Sequence, residues 1–245
     1  MDINTLHRHL GHLSFDNCHL MVNHQLVDGV DKVAGKEDFC KGCVYGHSKW
    51  KSHPPMGTTT KCWLERVHID LCGPIPISIG GNKYFLLIID EHTHYYWVEF
   101  LSKKSDAFAC LKKWKAEAEC DADSKLKYLK SDGGKEFRSK EFTDWLMSGG
   151  IVHEMSAPYE HEQNGLAERG IQNVSQCAMC QLFSANMSQG FWPYVVENAI
   201  YLINHSLTTT LKNKTPFEAW TGKRPNIKHL RTFGETGYVH IPPET

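Results

Sequence analysis

The order of strand and helix patterns from Trp63 onward is the feature that most constrains the fold of this chain. Three apolar or aromatic runs come first, followed by a helical repeat and then by alternating strand and helix signals. This β-β-β-α-β-α-β-α-α order favours a mixed sheet with helices on its faces. The predicted strands are 66–71, 84–90, 95–101, 126–129 and 151–156, and the predicted helices are one capped by Ser105 and those at 139–148, 165–185 and 191–207.

Composition excludes several classes of protein. With 41% hydrophobic and 22% charged residues, the 245-residue chain has the make-up of an ordinary globular protein. Its longest apolar run, residues 84–89, is too short to cross a bilayer, so no membrane partner is expected. The net charge of −1 provides no overall basic field, and any contact with nucleic acid must therefore come from local patches or bound metal.

Histidines and cysteines in the first 53 residues indicate a metal site. His7 and His12 are five positions apart, and Cys40-Lys-Gly-Cys43 places two thiols across a tight turn. Four nitrogen or sulfur ligands are what a tetrahedral structural zinc ion requires. A segment so poor in apolar residues is expected to need that zinc in order to fold. Other ligands remain open, with His9 and His12 as the alternative pair; the rivals are His9, Cys18, His19 and His24.

Three carboxylates occupy positions where a second metal site can form. Asp70 lies late in a predicted central strand, Asp132 follows another strand, and Glu168 lies one turn into a helix. Taken singly they also fit an edge-strand residue, a turn former and a solvent-facing helix residue, among 28 acidic residues. Together they would repel one another unless hard cations bound them, and Mg²⁺ or Mn²⁺ suits such oxygen ligands. A pair of such ions can drive attack on a phosphodiester.

At these residues the chain resembles the integrases of copia-type LTR retrotransposons, within the retroviral integrase superfamily. The resemblance runs almost end to end. The matching motifs are Leu6-His-Arg-His-Leu-Gly-His12, Cys40-Lys-Gly-Cys43, His68-Ile-Asp-Leu-Cys-Gly-Pro74, Ser131-Asp132, Ala157-Pro-Tyr159, Gln163-Asn-Gly-Leu-Ala-Glu-Arg169, Tyr201-Leu-Ile-Asn204 and Lys214-Thr-Pro-Phe-Glu-Ala-Trp220.

The resemblance implies an RNase H-like mixed five-stranded sheet with flanking helices, preceded by a small helical zinc-binding domain. It implies 3′-end processing and strand transfer of element DNA into target DNA, with Asp70 bridging two metals and Asp132 and Glu168 each holding one. The implied partner is double-stranded DNA, bound by a homo-oligomer that enters the nucleus after assembly in the cytoplasm. The implied DNA contacts are Asn164, Arg169, Gln172, Lys49 and Lys51.

The motifs divide the chain into four parts. The expected divisions are a zinc-binding pre-integrase domain at 1–53, a linker at 54–62, a catalytic core at 63–225, and the start of a truncated C-terminal domain at 226–245. In this interpretation the chain is a fragment or decayed copy of an element.

Departures from the family pattern support other functions. Gly170 replaces a usual lysine, which predicts a weaker phosphate contact and a cost of about 1 kcal/mol relative to alanine in a helix. Glu160 and Glu162 add negative charge where DNA should approach. The alternatives are a catalytically inactive remnant or domesticated zinc and nucleic-acid-binding module, and, less favoured, another RNase H-like nuclease such as a resolvase.

Overall fold

A single mixed sheet forms the centre of the molecule. The computed structural model describes residues 1–46, 60–155 and 164–237. The strand order is β3-β2-β1-β4-β5, with antiparallel pairing among the first three strands and parallel pairing of β4 with β1 and β5. The predicted mixed five-stranded sheet is confirmed. The strands are β1 (Arg66–Cys72), β2 (Tyr84–Asp90), β3 (Tyr96–Leu101), β4 (Tyr128–Ser131) and β5 (Val152–Met155).

Helices follow the predicted order, with one difference at a helix start. A 3₁₀ turn at Lys104–Asp106 precedes the long helix after β3, and it is Asp106 whose side chain accepts the Lys103 N–H (3.2 Å). Ser105 lies inside that turn, so its prediction as the cap is wrong. No helix in the described ranges is long and apolar enough to cross a membrane. The helices are α1 (Ile3–His9), α2 (Phe15–Asn23), α3 (Lys41–Gly46), α4 (Ala107–Ala122), α5 (Lys140–Ser148), α6 (Gly165–Ala185), α7 (Trp192–Asn204) and α8 (Pro216–Thr221).

Both faces of the sheet are covered, which explains the uninterrupted apolar run of β2. Leu86 and Ile88 belong to the core beneath α4 and α5, whereas Leu87 and Ile89 belong to the core beneath α6 and α7. A strand buried on both faces needs apolar residues at every position. In the β1–β2 register Asp70 lies opposite Leu87, and Asp70 therefore shares the face of the sheet on which α6 packs.

The N-terminal helices build a third apolar core that they do not complete alone. Leu6 and Met21 are fully buried there, together with Leu202 of α7 and with Ile227 and Leu230. The Ile227 N–H also donates to the Asp28 carbonyl (3.0 Å). Residues 226–230, at the predicted start of a C-terminal domain, therefore lie against the N-terminal region; residues 238–245 and linker residues 54–59 lie outside the described residues.

Candidate metal centres

Sheet topology brings the three predicted carboxylates toward one edge. Asp70 lies near the end of β1 and Asp132 directly follows β4, and the two parallel neighbouring strands end at the same edge of the sheet. Glu168 lies in the first turn of α6, which packs against β1 and β2. Backbone N–H groups orient two of the side chains, because Leu71 donates to Asp70 Oδ1 (2.8 Å) and Gly134 donates to Asp132 Oδ1 (3.2 Å).

Burial and the charges of neighbouring carboxylates both act on Asp70. Burial, together with the negative charge of Asp132 and to a smaller extent of Glu168, raises the pKa of Asp70 to about 6. The Leu71 N–H opposes this by stabilising the Asp70 carboxylate. These carboxylates do not form a group of mutually close ligand atoms like that of a bound metal, and a hard divalent cation that drew them together would remove the repulsion.

A fourth carboxylate, Glu136, belongs to the same edge. A Cβ built at Gly134 would lie 2.9 Å from Glu136 Cδ and 3.0 Å from Asp132 Oδ1, so both carboxyl groups flank Gly134. The charge of Glu136 also raises the pKa of Asp70. Glu136 was not among the predicted site residues; the available signal was its position four residues after Asp132, in the 3₁₀ turn Lys135–Phe137.

Hydrogen bonds from Asn164 tie the start of α6 to β1. The Asn164 Nδ2 donates to the Ile69 carbonyl (3.1 Å), and its Oδ1 lies 3.3 Å from His68 Nδ1. His68 in turn places Nε2 2.9 Å from a Glu91 carboxylate oxygen. These bonds hold the helix that carries Glu168 against the strand that carries Asp70.

The residues predicted to contact DNA differ in their exposure. Asn164 is only 1% exposed and is fully engaged with β1, so in this conformation its side chain is unavailable to DNA. Arg169 and Gln172 are half-buried on α6. Lys49, Lys51 and the loop segment 157–163, including Glu160 and Glu162, lie outside the described residues.

Gly170 is a close-packing position, which its sequence context does not indicate. A Cβ at this position would lie 2.5 Å from Ile89 Cδ1 and 3.0 Å from Leu87 Cδ2, so residue 170 faces the sheet. The interpretation of Gly170 as a lost phosphate contact is therefore wrong, because a side chain here points into the core. The missing Cβ lets α6 approach β2 closely, near Glu168.

The second centre lies between α1 and α3. Ligand atoms of His7, His12, Cys40 and Cys43 all lie within 4.8 Å of one another, and this is the only such group of three or more metal-binding side chains among the described residues. His7 Nε2 lies 3.1 Å from His12 Nδ1 and 3.3 Å from Cys43 Sγ. The alternative ligand His9 is outside the group.

Local geometry prepares this group for zinc. His7 Nδ1 lies 2.7 Å from the Leu13 carbonyl, which makes Nδ1 the protonated nitrogen and leaves Nε2 as the available ligand. Gly11 and His12 adopt left-handed conformations (φ 62° and 67°) that turn the chain back after α1, bringing His12 beside His7. Two imidazoles and two thiols form a ligand set typical of structural zinc.

Comparisons with known proteins show which family the chain belongs to. Residues 1–48 match the GAG-pre-integrase domain family, and residues 62–161 match the integrase core domain family. The whole chain is 32% identical to a retrovirus-related Pol polyprotein from transposon TNT 1-94 of Nicotiana tabacum. Over 97% of its length it is 29% identical to the corresponding polyprotein from transposon RE2 of Arabidopsis thaliana. The chain spans 18% and 16% of those two relatives, respectively.

A solved structure shares the fold. The chain aligns with a protein chain in the cryo-EM structure of a simian T-cell lymphotropic virus intasome in complex with the PP2A regulatory subunit B56 gamma. The TM-score is 0.55 at 16% identity, and the alignment covers 84% of this chain and 68% of that one.

Proposed function

Because this chain carries a GAG-pre-integrase domain and an integrase core domain and is a homologue of plant copia-type Pol polyproteins, we propose that it is a metal-dependent integrase. Its reactions are the trimming of a 3′ end of element DNA and the joining of that end to target DNA. The observation that supports the proposal is that Asp70 and Asp132 lie at the ends of two neighbouring parallel strands, with Glu168 in the first turn of the helix that packs on β1.

Each carboxylate has a distinct part in the proposed reaction. Asp70, whose pKa the charges of both Asp132 and Glu168 raise, would be the ligand that both ions share, and Asp132 and Glu168 would each hold one ion. A pair of Mg²⁺ or Mn²⁺ ions bound there would activate the attacking oxygen and stabilise the leaving one. Asn164 acts as a positioning residue, since its bonds to Ile69 and His68 set the distance between α6 and β1.

The partners follow from the same assignment. We propose that the chain acts on double-stranded DNA as a homo-oligomer, with Arg169 and Gln172 of α6 and the basic residues Lys49 and Lys51 as contacts. We also propose that it works in the nucleus after assembly in the cytoplasm. The His7–His12–Cys40–Cys43 group would hold a structural Zn²⁺ that stabilises the N-terminal region.

A strand-transfer assay tests the proposal. The whole chain is incubated with Mg²⁺ or Mn²⁺, a double-stranded oligonucleotide bearing the element's terminal repeat, and a plasmid target. We expect Asp132→Asn to reduce joined product by about 1000-fold or more, because one metal loses a charged ligand. The control Glu141→Gln changes an exposed carboxylate on α5 and should leave the rate unchanged.

Equal product from wild type and Asp132→Asn would refute the proposal. Absence of product from both, with intact folding, would favour the alternative of an inactive remnant or a domesticated zinc and nucleic-acid-binding module. The packing role of Gly170 removes one of the arguments for that alternative.

A further inference from the structure

A cavity of about 350 Å³ lies where the N-terminal region packs against the integrase core. Its walls come from the turn between α1 and α2, the middle of α6, the turn between β2 and β3, and the residues that follow α7. An apolar cavity of about 150 Å³ is large enough to bind benzene, and small-molecule sites begin at about 300 Å³. The cavity therefore has room for a molecule of one or two rings.

Two buried polar side chains in the wall of this cavity have atoms without hydrogen-bond partners. His94 is 7% exposed and Ser206 is 5% exposed, and both line the cavity. Within the described parts of the chain, neither His94 Nε2 nor Ser206 Oγ has a hydrogen-bond partner. Because buried polar atoms are normally paired, two such atoms at one cavity indicate a place where a polar ligand gains hydrogen bonds.

The lining of the cavity carries no formal charge. Among the described residues that line it, none is an Asp, Glu, Lys or Arg. Burial lowers the pKa of His94 to about 4, so its imidazole is neutral at pH 7. A charged ligand would lose its hydration in the cavity without meeting an opposite charge, so the lining favours an uncharged molecule.

Apolar side chains and carboxamides narrow the class of ligand further. Leu10 and Ile203 contribute apolar surface, and Asn173 and Gln176 of α6 contribute carboxamides. A carboxamide offers a donor and an acceptor side by side, which is how Asn and Gln recognise the edge of adenine. The lining therefore matches a neutral ring that has donors and acceptors at its edge.

We propose that this cavity is a binding site for an uncharged heterocycle of one or two rings with hydrogen-bond donors and acceptors at its edge, the chemistry of a nucleobase. His94 and Ser206 then provide hydrogen bonds to the polar atoms of the heterocycle. Because the walls come from both the N-terminal region and the integrase core, the bound molecule stabilises the packing of one against the other. The proposal goes beyond the proposed strand-transfer activity and does not depend on it.

Isothermal titration calorimetry of the whole chain with adenine, which has two rings, and uracil, which has one, tests the proposal. We expect at least one of them to bind with a stoichiometry of one per chain. Ser206→Ala should weaken that binding about 3- to 10-fold, because one hydrogen bond is lost. His94→Phe, which keeps a ring but has no ring nitrogen, should weaken it similarly. Ser184→Ala, at an exposed position on α6, is the control and should match wild type.

Comparison ligands and a filled cavity make the test specific. Toluene has no polar atom and benzoate carries a charge, so both should bind about 10-fold or more weakly than the nucleobase. Thr208→Trp places a large side chain in the wall that follows α7. It should abolish nucleobase binding while the circular dichroism spectrum stays that of wild type.

Competition with single-stranded oligodeoxyadenylate and oligodeoxyuridylate distinguishes two sources of such a ring. Displacement of the bound nucleobase would identify a base of DNA as the occupant, and continued binding would identify a free heterocycle.

Three outcomes would overturn the proposal. Failure of both adenine and uracil to bind at millimolar concentration would show a cavity that holds only water. Toluene binding as tightly as the nucleobase would show a merely apolar cavity. Nucleobase binding that is unchanged in Ser206→Ala, His94→Phe and Thr208→Trp would place the ligand elsewhere on the protein.

Discussion

The two candidate metal centres are assembled in opposite ways. The His/Cys group draws its ligands from two short stretches, and its ligand atoms already lie within 4.8 Å of one another. The carboxylate group draws on β1, the end of β4 and the start of α6, which meet only because the sheet and helices pack as they do. Imidazoles and thiols can be neutral and meet without a cation, whereas carboxylates at pH 7 repel. The His/Cys group is therefore assembled mainly by local chain geometry, whereas the carboxylate group depends on the packing of the whole fold.

The largest expected effect is on zinc binding by the His/Cys group, and it tests whether that group is assembled locally. We expect His7→Ala to lower zinc affinity by about 1000-fold or more, because a structural site uses all four ligands. In hydrogen exchange measured by mass spectrometry, α1 and α3 should lose protection while β1 and β2 keep theirs.

His9→Ala is the matched control, since His9 neighbours His7 but is outside the ligand group. An equal loss of zinc in His9→Ala would restore the alternative ligand pair. Loss of protection throughout the sheet in His7→Ala would show that the His/Cys group, like the carboxylate group, depends on the whole fold.

The next largest expected effect is the loss of folding stability that repulsion among the carboxylates causes when no Mg²⁺ is bound. The pKa of Asp70 is about 6 in the folded protein and 3.8 as its ordinary value, so the folded state binds more protons between these values and stability falls as pH rises through that window. We expect Asp70→Asn to raise the free energy of unfolding by about 2 to 3 kcal/mol at pH 8 and by little at pH 4.

Urea denaturation in magnesium-free buffer measures this difference at each pH. Asp144→Asn, at an exposed position on α5, serves as the control and should show no such pH dependence. Added Mg²⁺ should stabilise wild type but not Asp70→Asn. If Asp70→Asn is no more stable than wild type at pH 8, the carboxylates are not in electrostatic conflict.

The smallest effect concerns the packing on which the carboxylate centre depends. We expect Gly170→Ala to lower the free energy of unfolding by about 1 to 2 kcal/mol, because the added methyl meets Ile89 and Leu87. Ser184→Ala, at an exposed position on the same helix, should stay within about 0.5 kcal/mol of wild type.

Zinc affinity should be unchanged in Gly170→Ala, since the His/Cys group does not depend on the α6–β2 distance at residue 170. A gain of about 1 kcal/mol, as helix propensity alone predicts, would contradict the packing role of Gly170. A fall in zinc affinity would show that the two centres are coupled through α6.

Sequence periodicity predicted most helices and strands well, and it failed where a side chain takes the hydrogen bond of a backbone N–H. The strand at 84–90 and the helix at 165–185 have the observed bounds, since a long apolar run and a long amphipathic stripe are strong local signals. The strand predicted at 126–129 instead spans Tyr128–Ser131. There the Leu126 N–H donates to a Glu119 carboxylate (3.0 Å) before the sheet pairing begins, a contact that spacing does not reveal.

Sequence by itself determined the chemical inventory of this protein: the paired histidines and cysteines, the carboxylates at strand and helix ends, and the alternation that makes a mixed sheet. Only the tertiary structure decided that Asn164 bonds to β1, that Glu136 lies beside Asp132, that Gly170 packs against the sheet, and that Cys177 contacts Gly11. Spacing along a chain encodes geometry over a few residues. Contacts between residues far apart depend on how helices and strands pack, and packing is a property of the whole chain.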